Sequence, residues 1–338
     1  MYGRGDAGAH VTHQLVKVFF SKQVNIARAV AKVARRRLRT GPRHPSWSLP
    51  FEVGVEVCGR VMDIGDEPIA NFRRAEREEA TSIPLPVRRR VDHGVTDLAG
   101  VPAEVHTPKA GSDRTLLYVH GGGYFACSPA THRELAARLA HATGARTFVP
   151  DYRKAPEHPF PAAIDDVERF YRALLGDGVA PERLVVAGDS AGGGLVLALV
   201  QRLRATGAPL PRRLVLLSPF VDMTARGGSM EHNGRYDYLP AHNHDRIEAM
   251  YLAGADPRDP LASPVHADLT GFPPILMLTG ELELFYDQNL AFARLAREDG
   301  VSITHVVADA TVHVYPLLAG VSPRARADIE RIGAFVRA

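Results

Sequence analysis

Cysteine is scarce in this chain: among 338 residues there are two, Cys58 and Cys127. That excludes a disulfide framework and makes reduced thiols and a cytoplasmic location the natural expectation. There is no low-complexity tract and no repeat of solenoid length. Long apolar runs are missing too. The run "LVKVFF" near the N-terminus is too short and too interrupted for a signal-peptide core or a membrane span. Acidic residues are absent between Ala7 and Phe51, where nine Lys or Arg occur. The whole chain has a net charge of +3, so this stretch carries +9 and the remainder −6. The body of the protein therefore needs no anionic partner and nucleic acid is not expected, whereas the N-terminal arm could use an anionic surface.

The 45% of hydrophobic residues suffices for one large core. Residues 18–39, "VFFSKQVNIARAVAKVARRRLR", suit a basic amphipathic helix with Phe19, Ile26, Val30 and Val33 on its apolar side. Packing on its own domain is the favoured reading, and peripheral docking on an anionic membrane is the alternative. An organelle transit peptide shares the same composition. "GPRHPSWSLP" then reads as a linker, and a second helical stretch runs through "ANFRRAEREEA". Residues 1–90 are thus expected to form a basic extension with cap helices.

Residues 87–108 read as two strands turned around Leu98–Gly100. Short apolar runs follow at 115–119, 145–149, 184–187, 214–217, 274–278 and 302–307. Helical stretches lie between them, at 131–142, 162–175, 191–205 and 287–299. Apolar runs of this length suit strands covered on both faces, and alternation with helices means an α/β fold with a mostly parallel sheet over 91–338. Residues 220–262 are too long for a simple crossover and predict a cap insertion over the carboxyl ends of the strands.

The strongest local signal is "LVVAGDSAGGGLVLALV". A buried strand runs into Gly188-Asp189-Ser190-Ala191-Gly192 and then a helix, the setting in which G-x-S-x-G marks a nucleophilic serine. The phosphate-binding alternative lacks a Walker lysine and a G-x-G-x-x-G pattern. A serine also needs an oxyanion hole and a base. "LLYVHGGGYF" places three bare glycines after an apolar strand, at His120-Gly121-Gly122-Gly123.

"HGGGYF", "DYRKAPEHPFPAAIDD", "GDSAGG" and "DPLASPVHADLTGFPPILMLTG", in this order, resemble the hormone-sensitive-lipase-like esterases, the bacterial family IV carboxylesterases of the α/β-hydrolase superfamily. The resemblance covers about residues 90–338 and implies an α/β-hydrolase with a helical cap that cleaves short- to medium-chain acyl esters. It further implies a small-molecule ester as partner, no cofactor and no metal. A homodimer is left open. By resemblance, Ser190 is the nucleophile, and Gly122, Gly123 and Ala191 supply the oxyanion-hole N–H groups, with His120, Gly121 and Asp189 in support. Tyr152–Glu157 would hold the loop beneath the site.

In the hydrolase order of serine, acid, histidine, the base follows the last strand. His305 lies inside the strand pattern and His313 in the loop beyond it, so His313 is the expected base, with His313-Val314-Tyr315 standing where the family has His-x-Phe. The acid lies in "TGELELFYDQ". The family's Asp-Pro-Leu-x-Asp pattern laid on this loop puts Glu283 first and Asp287 second, with Leu284 and Phe285 replacing Pro and Leu. Glu283 is expected to orient the imidazole, Asp287 to cap the following helix or complement its dipole, and Glu281 to face away or bind backbone. Asp287 remains the alternative acid. Cys127 and Tyr124 are candidates to line a pocket.

The same machinery also serves lactonases, amidases and acyltransferases. A ligand receptor on the scaffold is disfavoured by the presence of all three catalytic residue types.

Overall fold

The computed structural model describes residues 25–62, 69, 73 and 81–338. Eight strands form one sheet in the order β1-β2-β4-β3-β5-β6-β7-β8. These are β1 (Val91–Leu98), β2 (Val101–Pro108), β3 (Thr115–Val119), β4 (Arg146–Pro150), β5 (Leu184–Asp189), β6 (Arg213–Leu217), β7 (Ile275–Gly280) and β8 (Ile303–Ala308). β1 and β2 form a hairpin, turned at Ala99 and Gly100, whose second strand pairs antiparallel with β4. From β4 to β8 every pairing is parallel.

The described helices are α1 (residues 25–40), α2 (Leu49–Met62), α3 (Leu85–Arg88), α4 (Pro129–Thr143), α5 (Ala162–Gly176), α6 (Ala191–Ala205), α7 (Ser229–His232), α8 (His244–Leu252), α9 (Tyr286–Glu298) and α10 (Pro323–Arg337). The continuous apolar runs of the central strands follow from burial on both faces. Leu117, Val119, Val186, Leu216 and Met277 point into the layer formed with α5, α6 and α9. Their neighbours Leu116, Tyr118, Val185, Val215 and Leu276 point into the opposite layer, against α4 and α10. The alternation is the period of two that a pleated strand imposes.

The interval 220–262 carries α7, α8 and short 3-10 turns. Helix α2 lies with it, and α1 packs on α2. Trp47, Phe51 and Val55 cluster with Tyr238, Val312 and Leu318, and Asn243 donates to the Met62 carbonyl at 3.2 Å. On α1 the buried apolar residues are Ala29 and Val33, whereas Ile26 and Val30 are exposed. The apolar side expected from the sequence is thus rotated, and Phe19 lies outside the described residues. Ion pairs explain the rotation. Glu52 of α2 is buried and accepts Arg36 Nε at 3.1 Å, Arg37 Nε at 2.5 Å and the Arg43 N–H at 2.9 Å. Lys32 reaches Glu56 at 2.6 Å. The arm turns part of its basic face inward because α2 offers buried carboxylates there. The second predicted helical stretch, 70–80, falls almost wholly outside the described residues.

Candidate active site

Strand β5 ends at Asp189 and α6 begins at Ala191, leaving Ser190 alone to make the turn. It does so at φ 51°, ψ −123°, a left-handed conformation that non-glycine residues rarely adopt. Its N–H donates to the Leu217 carbonyl and its own carbonyl accepts the Phe220 N–H, so both sides of the turn are pinned. The glycines around it are there for close approach: a Cβ on Gly192 would stand 2.1 Å from the Val119 oxygen, and one on Gly188 2.5 Å from the Gly192 oxygen. The N-terminus of α6 opens directly at the serine, where its dipole favours developing negative charge.

The glycine loop leaves β3 beside this turn. Gly122 and Gly123 have φ of 115° and 58°. The N–H groups of Gly122, Gly123 and Ala191 donate to no protein acceptor among the described residues. The loop is fixed from below. Asp189 is buried and accepts Tyr118 Oη at 2.6 Å and the Gly121 N–H at 3.0 Å through Oδ1, with His132 Nε2 at 3.3 Å from Oδ2. Burial pulls the Asp189 pKa up, but His132, Tyr118 and the Gly121 N–H outweigh it and hold the carboxyl below its usual range. His120 stacks on Tyr152, and the Tyr152 hydroxyl donates to the His120 carbonyl at 2.8 Å. Ala155 donates to the Tyr124 carbonyl at 3.0 Å, so the Tyr152–Glu157 segment does support the loop. Tyr124 is buried and stacks on Tyr251 of α8 at 3.7 Å. Cys127 lines a surface cavity of about 730 Å³ whose walls include none of Ser190, Glu283 or His313.

The acid and base candidates emerge from β7 and β8. Glu283 is fully buried. Its Oε2 accepts Ser218 Oγ at 2.6 Å and the Gly280 N–H at 2.7 Å, and its Oε1 accepts Asn289 Nδ2 at 2.9 Å. His313 is also buried, and its Nδ1 stands 4.0 Å from Glu283 Oε1. Neither ring nitrogen of His313 has a hydrogen-bond partner among the described residues, so no such bond joins it to Ser190. The ring sits edge-on to Phe285 at 4.9 Å and to Tyr238 at 5.9 Å, and Phe285 stacks on Phe220 just past the serine turn.

The other carboxylates are engaged elsewhere. Asp287 does not cap its own helix. Its Oδ2 accepts the Ser229 N–H at 2.8 Å, at the start of α7, because Gly228 lacks the Cβ that would block this approach. It still lies in the first turn of α9, where its charge complements the dipole. Glu281 binds backbone, accepting the Ala310 N–H at 2.8 Å. His305 bonds Thr279 Oγ1 within the sheet, and burial lowers its pKa to about 4.

A sequence pattern described as the α/β-hydrolase fold matches residues 116–317, more than half of the chain. An acetyl-hydrolase of Streptomyces hygroscopicus is 43% identical over 236 residues, 70% of this chain and 79% of that protein. A putative acetyl-hydrolase, LipR, of Mycobacterium tuberculosis is 37% identical over 71% of this chain and 78% of its own. The crystal structure of an esterase from the bacterial hormone-sensitive lipase family superposes with a TM-score of 0.81 at 36% identity, covering 86% of this chain and 98% of that one. The chain belongs to the hormone-sensitive-lipase-like esterase family.

Three residues around the candidate triad of this family member escape a reading of the sequence. Ser218 uses one hydroxyl to donate to Glu283 and to accept the Val314 N–H at 3.0 Å, tying the acid loop to the histidine loop. Asn289 holds Glu283 from the first turns of α9. Asp237, from the cap interval, accepts the His313 N–H at 3.1 Å and the Tyr238 N–H at 2.8 Å through Oδ1, and the Leu284 N–H at 2.8 Å through Oδ2. Burial raises its pKa to about 6, with Glu283 adding to the rise and His313 and the N–H donors opposing it. Asn289 sits six residues after Glu283 and is the one residue that a search along the loop could have found. Among the described residues no helix is long and apolar enough to cross a membrane.

Proposed function

We propose that this carboxylesterase cleaves short- to medium-chain esters through an acyl-enzyme on Ser190. In this reading His313 takes the serine proton as Oγ attacks the ester carbonyl, and Glu283 holds the imidazole tautomer and stabilises the imidazolium. The N–H groups of Gly122, Gly123 and Ala191 receive the oxyanion, and His313 then protonates the leaving alcohol. Water repeats the sequence on the acyl-enzyme. Residues 1–90 together with the 220–262 insertion would act as the cap on a catalytic domain spanning 91–338.

The observation that carries the reading is a buried pair at the strand ends: an imidazole with both nitrogens idle, 4.0 Å from a glutamate held in place by three hydrogen bonds. Unbound active sites often hold such contacts long, and they tighten when substrate arrives. The esterases and acetyl-hydrolases among the relatives support the ester-hydrolase class. One related structure is of an esterase soaked with p-nitrophenyl butyrate, which supports the choice of probe.

The test is a p-nitrophenyl series from acetate through octanoate to palmitate, with a lactone and an anilide alongside. The expected result is kcat/KM highest within acetate to octanoate. Ser190→Ala should lower kcat by ~10⁴-fold or more with an unchanged melting curve, and near-normal turnover in this variant would sink the mechanism.

A further inference from the structure

The hairpin at the far edge of the sheet gathers a group of residues that ester hydrolysis does not use. β2 lies three strands from β5, roughly 14 Å from the strand that carries Ser190. Antiparallel pairing sets His93 directly opposite His106, and the period of two puts Glu104 on the same face as His106. His93 Nε2 is 2.9 Å from Glu104 Oε2, and His106 Nε2 is 3.8 Å from the same oxygen. One ligand atom from each of the three residues lies within 4.8 Å of the other two.

His106 makes this more than a polar edge. It is 0% exposed, and neither of its ring nitrogens has a hydrogen-bond partner among the described residues. A buried polar group left idle loses its hydration without compensation and calls for a ligand. Glu104 is buried as well, and Arg133 of α4 grips its two oxygens from the helix side.

We propose that His93, His106 and Glu104 bind one divalent transition-metal ion of the zinc class, through both Nε2 atoms and Glu104 Oε2. Ligand bonds of about 2.0–2.1 Å in a tetrahedron set neighbouring ligand atoms about 3.3 Å apart, and the two separations of 2.9 and 3.8 Å bracket that spacing. Two imidazoles and a carboxylate suit zinc, nickel or copper and not calcium or magnesium. Arg133 would retain Oε1 and orient the carboxylate from outside the coordination shell. The His93 side chain is about one-third exposed, which gives the ion an entry path and a water its fourth position. The ion would pin the edge strand β1 to β2 and, through Arg133, to α4. An ion at this hairpin departs from the expectation of a metal-free chain. No ligand motif marks the trio in the sequence, because strand pairing alone brings residue 93 to residues 104 and 106.

The test uses the full chain, stripped with a chelator and titrated with zinc chloride by calorimetry, with cobalt(II) absorption as a second readout. The expected result is one tight equivalent, a tetrahedral cobalt spectrum and a melting temperature raised by a few degrees at saturation. His93→Ala and His106→Leu should each weaken binding by at least ~10-fold and abolish the thermal shift. His93→Ala alters an exposed side chain, so it decides the question even if His106→Leu fails to fold. A flat titration of the wild-type chain overturns the proposal, because a buried water would then satisfy His106. Equally tight binding by His93→Ala also overturns it and assigns the uptake to other histidines.

Discussion

Glu283, Asp287 and Asp237 are three carboxylates with three different surroundings, and those surroundings predict how each behaves. Glu283 meets donors only and faces His313, while Asp287 is committed to the start of α7. Glu283→Gln should therefore lower kcat by ~10²–10⁴-fold, as loss of a tautomer-holding carboxylate does. Asp287→Asn should cost less than ~10-fold and act mainly through the cap. The reverse ranking in steady-state kinetics would hand the acid role to Asp287.

Asp237 makes a pH-dependent prediction. Its pKa rises on folding from 3.8 to about 6, so its contribution to stability is fully present below 3.8 and is lost as pH climbs through 6. Asn cannot titrate, and its amide would set a donor against the Leu284 N–H. Asp237→Asn should thus melt below the wild type, and the gap should widen as pH falls from about 7.5 to about 5. A gap that narrows over this range in differential scanning fluorimetry contradicts the assignment. The placement of Glu283 beside His313, 4.0 Å away, was legible from chain order and spacing. Asp237 was not legible, because its partners are backbone N–H groups of two other loops and nothing in "GRYDYLP" encodes that meeting.

Among the elements, the turn from β5 into α6 is the most constrained. A methyl at position 192 would press on the Val119 carbonyl, backbone against backbone, with no flexible side chain to yield. Gly192→Ala should cost ~1–3 kcal/mol or more, seen as a melting temperature lower by several degrees, together with a loss of turnover from the displaced serine. This element was fully readable, since strand, glycine-flanked serine and helix are contiguous in sequence. The orientation of α1 was not. Its burial is decided by Glu52 and Glu56 on α2, which pull Arg36, Arg37 and Lys32 inward and leave Ile26 and Val30 at the surface. Periodicity sees apolar residues and misses a buried carboxylate on a neighbouring helix.

For the whole molecule, the sheet and its two flanking layers follow from alternating apolar runs and helical stretches, whereas the reversal of strand order at β3 and β4 is not written in them. The charge asymmetry of the chain is partly cancelled internally by the α1–α2 ion pairs, which weakens the case for a membrane role. What survives is the exposed set of Arg28, Arg35 and Arg39 beside the exposed Ile26, Val30 and Leu38. If the arm docks on anionic membranes, deleting residues 1–40 should reduce sedimentation with phosphatidylserine vesicles, and the loss should vanish at high salt. Unchanged sedimentation removes the membrane reading. Because α1 also covers α2, the deletion should be accompanied by Ile26→Ser/Val30→Ser in the intact chain, which leaves the Glu52 pairs in place.

Asp237 comes from the cap interval, yet its bonds end on the backbones of His313 and Leu284. In modular terms, the 220–262 interval cannot be exchanged as a detachable cassette. A chimera that received a relative's 220–262 segment without an acceptor at this position would leave the N–H groups of Leu284 and His313 unbonded. A change in the 220–262 interval is therefore also a change at the Glu283 and His313 loops in this chain.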